Sequence, residues 1–305
     1  MKLQVSQSGS KSIISGSTLS KDQGLEERMS RMLSYVAAEP LPLARAVGES
    51  VLAEFTDLAR LHADGWGTAW RDVATGEVRT AGSATAAVGG EEWAHALAPA
   101  STSRMLYLRF ASRGAPPAPE NVQPFLRDGT AFQHNGLIAP REDLVGLLTA
   151  DGRRELHGTT DSEAYFTAIR HAVRRAPGLD DATALAHAVA RVRTRFAGAC
   201  LNAMILTDAT LMIIHAAGGT GAPLAAFARR GFEADALPPG HDDSYNALST
   251  TVSGTGARII ATTGIDQATW TKLHDEFVFT VSSGGFARTQ IGAQADRELT
   301  SDAAP

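Results

Sequence analysis

A hydroxyl beside a free amine is a nucleophile that carries its own base. The stretch RMSRMLSYVA, Arg28 to Ala37, offers such a pair, because a strand-like run begins at Met29-Ser30. If Ser30 were the first residue, its α-amine, with a reference pKa near ~8, would suit proton transfer at neutral pH. With the upstream segment attached, that nitrogen is an amide and the base is gone. Met-Ser pairs are common, so this one gains meaning only beside other groups. HADGWG, His62 to Gly67, sets two glycines around Trp66, where the backbone either approaches a neighbour closely or turns a hairpin. LRFASRG, Leu108 to Gly114, is followed by ENVQPF, Glu120 to Phe125. It puts Arg109 at a strand end, where a guanidinium clamps a carboxylate or makes a surface ion pair. In QHNGLI, the Asn135 amide and the Gly136 N–H form two donors suited to an oxyanion, although Asn-Gly is equally a hairpin turn. GTTDSE, Gly158 to Glu163, places Asp161 in a first helical turn, where it favours the helix dipole or holds an ammonium group.

These groups need elements to carry them. The run from Arg31 to Ala37 reads as a short strand. Val47, Val51, Phe55 and Leu58 recur at helical spacing and predict an amphipathic helix over about 42–61. Gly-punctuated strands follow, with Thr75-Gly76 at a hairpin turn. SRMLYLRFAS is a strand that ends in a Pro-rich loop, and TAFQHNGLI is a strand that runs into His134-Asn135-Gly136. Thr160-Asp161-Ser162-Glu163 fits a capping box for a helix whose apolar face is Tyr165, Ala168, Ile169, Ala172 and Val173. Pro177-Gly178 ends it. Ala182, Leu185, Val189, Val192 and Phe196 mark a second helix. Strands are predicted around 199–206, 210–217, 257–263 and 277–282. Strands, a helical pair and strands again suggest sheets covered by helices.

The chain has 305 residues, a formal net charge of -5 and a single cysteine. The length gives one large domain or two small ones, with a substantial core. The charge gives no sign of the clustered basic face that nucleic acid requires, and no apolar run approaches the roughly 20 residues of a membrane span. Cys200, in AGACLNAMILTD, reads as a buried structural thiol, and alone it forms neither an intramolecular disulfide framework nor a Cys-rich metal site. The nine histidines show no ligand spacing. No metal, organic cofactor or phosphate-binding loop is suggested. Residues 1–29 read as a flexible leader, tag or pro-segment, too thin in apolar content for a secretory signal. Residues 291–305 read as a disordered, acidic, Ala-rich tail.

Taken in order, Ser30, DGWG, LRFASRG, ENVQPF, HNG and TDSE resemble the class II glutamine amidotransferases, which are N-terminal-nucleophile (Ntn) amidohydrolases, and above all their stand-alone bacterial branch. The resemblance is strong over about Met29–Phe166. It runs more weakly to about Ser283, where IIATTGID looks like the branch's late strand. It implies an α+β fold, the four-layer αββα Ntn-hydrolase sandwich, with Ser30 opening a central strand and residues 30–290 forming one amidotransferase domain. It assigns catalytic roles to Ser30 as nucleophile and to Asn135 and Gly136 as oxyanion hole. It gives Arg109 the substrate's α-carboxylate and Asp161 its α-ammonium. The expected activity is cleavage of the γ-amide of glutamine or of a γ-glutamyl compound, in a cytoplasmic setting. Ammonia would go to a separate synthase subunit or to no acceptor; related members act on γ-glutamyl compounds in thiol biosynthesis. The sequence departs from the family at Ser30, where Cys is usual, and at Gln123, where many members have His. Phe110, Ser112 and Arg113 vary the loop around Arg109. Ser30 therefore marks a working serine nucleophile, a natural loss of activity, or an engineered Cys-to-Ser change. In the last two the chain is a catalytically silent glutamine-binding or partner-docking module.

Overall fold

The computed structural model describes residues 29–85, 88–111 and 116–292. The leader up to Arg28, the tail from Ala293, and Ser112 and Arg113 lie outside the described residues. Strands β1 (Arg31–Leu41), β2 (Trp66–Arg71), β3 (Val78–Ser83) and β4 (Ser101–Leu108) precede β5 (Phe125–Arg127) and β6 (Thr130–Asn135). Then come β7 (Asn202–Leu206), β8 (Leu211–His215), β9 (Leu248–Val252), β10 (Arg258–Thr262), β11 (Thr271–Lys272), β12 (Phe277–Ser282) and β13 (Gly285–Gln290). The helices are α1 (Leu43–Val47), α2 (Glu49–Asp57), α3 (Glu91–Leu97), α4 (Arg141–Gly146), α5 (Ala150–Arg154), α6 (Asp161–Arg174), α7 (Asp181–Arg195) and α8 (Leu224–Arg229). The strands form a seven-stranded sheet, β11-β9-β10-β1-β4-β2-β3, and a six-stranded sheet, β13-β12-β8-β7-β6-β5. Every strand pairing is antiparallel.

The period-2 alternation of side chains sorts the strands' apolar residues into layers. On β1 and β4, Leu33, Tyr35, Leu106 and Leu108 pack outward with Leu43, Val47, Phe55, Trp93 and Phe227 of α1, α2, α3 and α8. On the second sheet, Phe132, Ala203, Ile205 and Ile214 pack outward against Tyr165, Phe166, Ile169, Leu185 and Val189 of α6 and α7. The alternate residues, Met32, Met105, Tyr107, Ala131, Met204, Ile213, Ile260 and Phe279, meet between the sheets. Three apolar layers separate four structural ones, which is the αββα sandwich. Each large side chain buried this way stabilises the fold by about 1.5–3 kcal/mol. The same parity positions chemistry. Ser30 precedes β1 in phase with Met32, and Asn135 is in phase with Ala131. Both therefore belong to the layer between the sheets.

Several elements differ from the sequence-based expectation. The helix over 42–61 is interrupted at Gly48, whose φ of 93° ends α1 and starts α2, and its last turn is a 3-10 helix at Leu58–Arg60. Its apolar spacing survives the break because both pieces lie against the same face of the first sheet. β1 runs on to Leu41 rather than stopping at Ala37. The capping residue Thr160 behaves as expected, its hydroxyl accepting from Glu163 N–H at 3.2 Å. The Glu163 carboxylate, however, reaches past the cap to the His157 and Gly158 amides at 2.9 and 2.7 Å and pairs with Arg127.

Candidate functional site

β1 is the central strand of its sheet, and Ser30 stands immediately before it, 4% exposed. Its Oγ lies 2.5 Å from the Tyr107 hydroxyl on β4 and accepts from Phe110 N–H at 3.3 Å. Gln123 Nε2 donates to the Tyr107 oxygen at 2.9 Å, while Gln123 Oε1 accepts from His134 N–H on β6 at 2.6 Å. Three hydrogen bonds thus lead from Ser30 in one sheet to the residue before Asn135 in the other. Burial pushes the Tyr107 phenol up to about 12, against the opposing hydrogen bond to Ser30 and the nearby Arg109 charge; the Asp161 and Asp64 carboxylates add to the rise. Those charges act on one phenol, so the sequence's separate motifs converge on it.

Asn135 is fully buried, and neither its Oδ1 nor its Nδ2 has a partner among the described residues. A buried amide without partners costs about 1–3 kcal/mol, so nothing in the fold's own stability accounts for it. Gly136 follows, and no described group accepts from its N–H. A Cβ at Gly136 would sit 1.9 Å from the Cys200 carbonyl oxygen, so only glycine fits here. Cys200 is buried and donates its thiol to the Asn135 carbonyl at 3.0 Å, a structural role. His134 bridges Cys200 O and Ser162 Oγ, both at 3.0 Å. Its Nε2 faces a carbonyl and so carries the proton, and burial lowers its pKa.

Arg109 is 4% exposed, yet its guanidinium makes only long contacts among the described residues, to the carbonyls of Asp64 at 3.4 Å and Pro116 at 3.5 Å. Its backbone exchanges hydrogen bonds with Asp64 N–H and Gly65 O, which ties it to HADGWG. The Asp64 carboxylate accepts from Ala111 N–H and from Arg230 at 2.5 Å. Asp161 opens α6, and Ile138 N–H donates to its Oδ2 at 2.7 Å. Burial raises its carboxyl pKa, only partly offset by the His134 charge and by the amides of Ile138, Asp161 and Ser162. Arg109 and Asp161 therefore keep spare bonding capacity among the described residues, and both act on the Tyr107 phenol that touches Ser30.

ENVQPF works through Asn121 as well as Gln123. Asn121 Oδ1 accepts from Thr159 N–H at 2.9 Å and so fixes the loop that leads to Asp161. Gly67 allows this arrangement, since a Cβ there would lie 1.9 Å from the Gln123 carbonyl. Sequence reasoning missed Tyr107, which sits in an apolar strand and gives no local signal. It also missed Arg230, which caps the C-terminal end of α8 far along the chain. Gln123 was visible only as a departure from a pattern. Met29 is buried, with its carbonyl accepting from the Tyr245 hydroxyl at 3.1 Å. Among the described residues no group of three His, Cys, Asp or Glu side chains could hold a metal ion, and no helix is long and apolar enough to cross a membrane.

Residues 36–304 match the family model of the class II glutamine amidotransferases. The chain belongs to that family. The match takes in Arg109, Asn135, Gly136 and Asp161 and begins after Ser30. No curated protein matches. Among solved structures, a glutamine aminotransferase class-II domain protein from Silicibacter pomeroyi is similar at 16% identity and a TM-score of 0.56, over 86% of this chain and 98% of that one. The glutamine phosphoribosylpyrophosphate amidotransferase of B. subtilis is similar at 14% identity and a TM-score of 0.54, over 87% of this chain and 50% of its own. An allosteric regulatory enzyme of purine biosynthesis is similar at 12% identity and a TM-score of 0.56, over 87% and 49%. This amidotransferase chain thus spans about half the length of the latter two. At these identities the likenesses show the fold, two antiparallel sheets under helices.

Proposed function

We propose that this family member cleaves the γ-amide of glutamine or a γ-glutamyl compound, with Ser30 as nucleophile. The observation that carries the reading is the buried Asn135 amide with no partner among the described residues, in the same layer as Ser30 and next to the Gly136 N–H, from which no described group accepts. Two such donors suit the oxygen of a tetrahedral intermediate. Arg109 binds the substrate's α-carboxylate and Asp161 its α-ammonium, so the side-chain amide is presented to Ser30. Ser30 Oγ bonds to the amide carbon as its proton passes to the Ser30 amine. The C–N bond then breaks, ammonia leaves with that proton, and water hydrolyses the ester to give glutamate. Residues 30–290 form the single amidotransferase domain. The ammonia goes to water or to a synthase on another polypeptide.

Met29 favours a second reading. It is held in the core and by Tyr245, and while it stays attached the Ser30 nitrogen is an amide. In that form the chain binds glutamine without cleaving it. Intact mass of the protein made by its own cell, followed by an ammonia-release assay on glutamine, separates the two. A chain beginning at Ser30 that releases ammonia, and stops doing so as Ser30→Ala, supports the enzyme. A chain that keeps Met29, binds glutamine by calorimetry and releases no ammonia supports the silent module.

A further inference from the structure

The Ser30 hydroxyl sits in a hydrogen-bond arrangement whose direction the neighbouring groups fix. Gln123 Oε1 faces the His134 N–H, so the other end of the amide, Nε2, is the donor to Tyr107. The Tyr107 oxygen receives that bond, and its own proton has one described acceptor, Ser30 Oγ at 2.5 Å. Turned any other way, a buried phenol proton would lack a partner. Phe110 N–H is the second donor to Ser30 Oγ. Two donors therefore converge on the serine oxygen, and the serine's own proton is left for a base.

We propose that Tyr107, oriented by Gln123, is a positioning residue that fixes the Ser30 hydroxyl and donates to its oxygen as negative charge develops there. The proposal rests on the reading of Ser30 as nucleophile. A thiol is a few per cent ionised at neutral pH, whereas a hydroxyl needs its forming alkoxide stabilised. A preorganised O–H donor in a dry layer supplies that stabilisation without reorganisation. Tyr107 is buried and neutral across the working pH range, so it remains a donor throughout. Position 123 completes the arrangement: Gln123 presents one acceptor to the backbone and one donor to the phenol.

The test is steady-state ammonia release from glutamine, with kcat and KM measured separately. The protein is purified in the form its own cell makes, with every variant produced in the same host. Tyr107→Phe is expected to lower kcat on the order of 10²-fold while KM moves less than about threefold. Gln123→Leu should lower kcat in the same direction by roughly tenfold. In a Ser30→Cys background, Tyr107→Phe should cost less than about threefold, because a thiolate needs no hydroxyl donor. Equal losses in the serine and cysteine backgrounds would make Tyr107 a merely structural residue and overturn the proposal. So would an unchanged kcat in Tyr107→Phe while Ser30→Ala is inactive, an outcome that leaves the nucleophile reading standing. A wild-type chain no more active than Ser30→Ala overturns both readings. If Tyr107→Phe does not fold, Gln123→Leu decides by the same two-background comparison.

Discussion

Asp161 and Asn135 lower the stability of the fold. Burial raises the Asp161 carboxyl pKa above its unfolded value. Its contribution to stability is then fully present below the unfolded pKa and is lost as pH rises through the folded one. Asp161→Asn should therefore unfold at a higher temperature than wild type at pH 7, with the gap closing in acid. The same variant should lose glutamine binding in a calorimeter. Unchanged glutamine affinity would remove Asp161 from the site. Asn135→Leu replaces a buried amide, without a partner among the described residues, by an apolar side chain of similar shape. It is expected to stabilise the protein by about 1–3 kcal/mol in urea unfolding and to lower ammonia release by about 10²–10³-fold. A destabilised Asn135→Leu would mean that the amide has a structural partner after all. In both residues stability is given up where a ligand's charge or oxygen is to be received.

At the scale of elements, the site depends on how α6 starts and on how closely two loops approach β2. Thr160 caps α6 and so fixes the turn that presents Asp161. Thr160→Ala should cost about 1 kcal/mol in chemical denaturation and weaken glutamine binding through Asp161. A variant with wild-type stability would show that the Glu163 bonds to His157 and Gly158 alone hold the turn. The helices α6 and α7 were legible because their apolar positions recur at helical spacing. The helix α3 was not, although Glu91-Glu92 followed by Trp93, Ala96 and Leu97 carries a weak version of the same signal. β13 was missed for another reason. β13 is an edge strand with little buried surface, so its sequence has no apolar alternation to read. Gly48 shows the limit of periodicity, since a left-handed residue breaks a helix without disturbing the spacing of its apolar face.

The whole molecule buries four imidazoles whose pKa values burial lowers: His62, His134, His215 and His241, the last pushed down to about 3. A depressed folded pKa means that stability is full above the unfolded value, near ~6.5, and is lost as pH falls through it. Unfolding free energy should therefore drop as pH falls from about 6.5 toward 4, by up to roughly 1.4 kcal/mol per pH unit for each histidine that must charge on unfolding. Urea titrations across that range check this, and a flat profile would refute it. His62 packs against His241 and against Phe110, whose N–H donates to Ser30 Oγ, and the His134 N–H donates to Gln123, so acid should disturb the site together with the fold.

The sequence by itself determined the family resemblance, the layered α+β architecture and the candidates Ser30, Arg109, Asn135, Gly136 and Asp161, because residue types at strand ends and helix caps leave local patterns. The resemblance also implied that Ser30 stands where the family usually has cysteine. Only the tertiary structure decided what surrounds that serine. Tyr107 reads as one more apolar strand residue until β4 lies beside β1, and Gln123 has no partner until the two sheets face each other. That Asn135 has no side-chain partner among the described residues is likewise invisible in a sequence, because it is a property of every neighbour at once. Hydrogen-bond direction at Ser30 follows from the orientation of an amide eleven residues away from the backbone N–H that fixes it, and the fold alone brings those groups together.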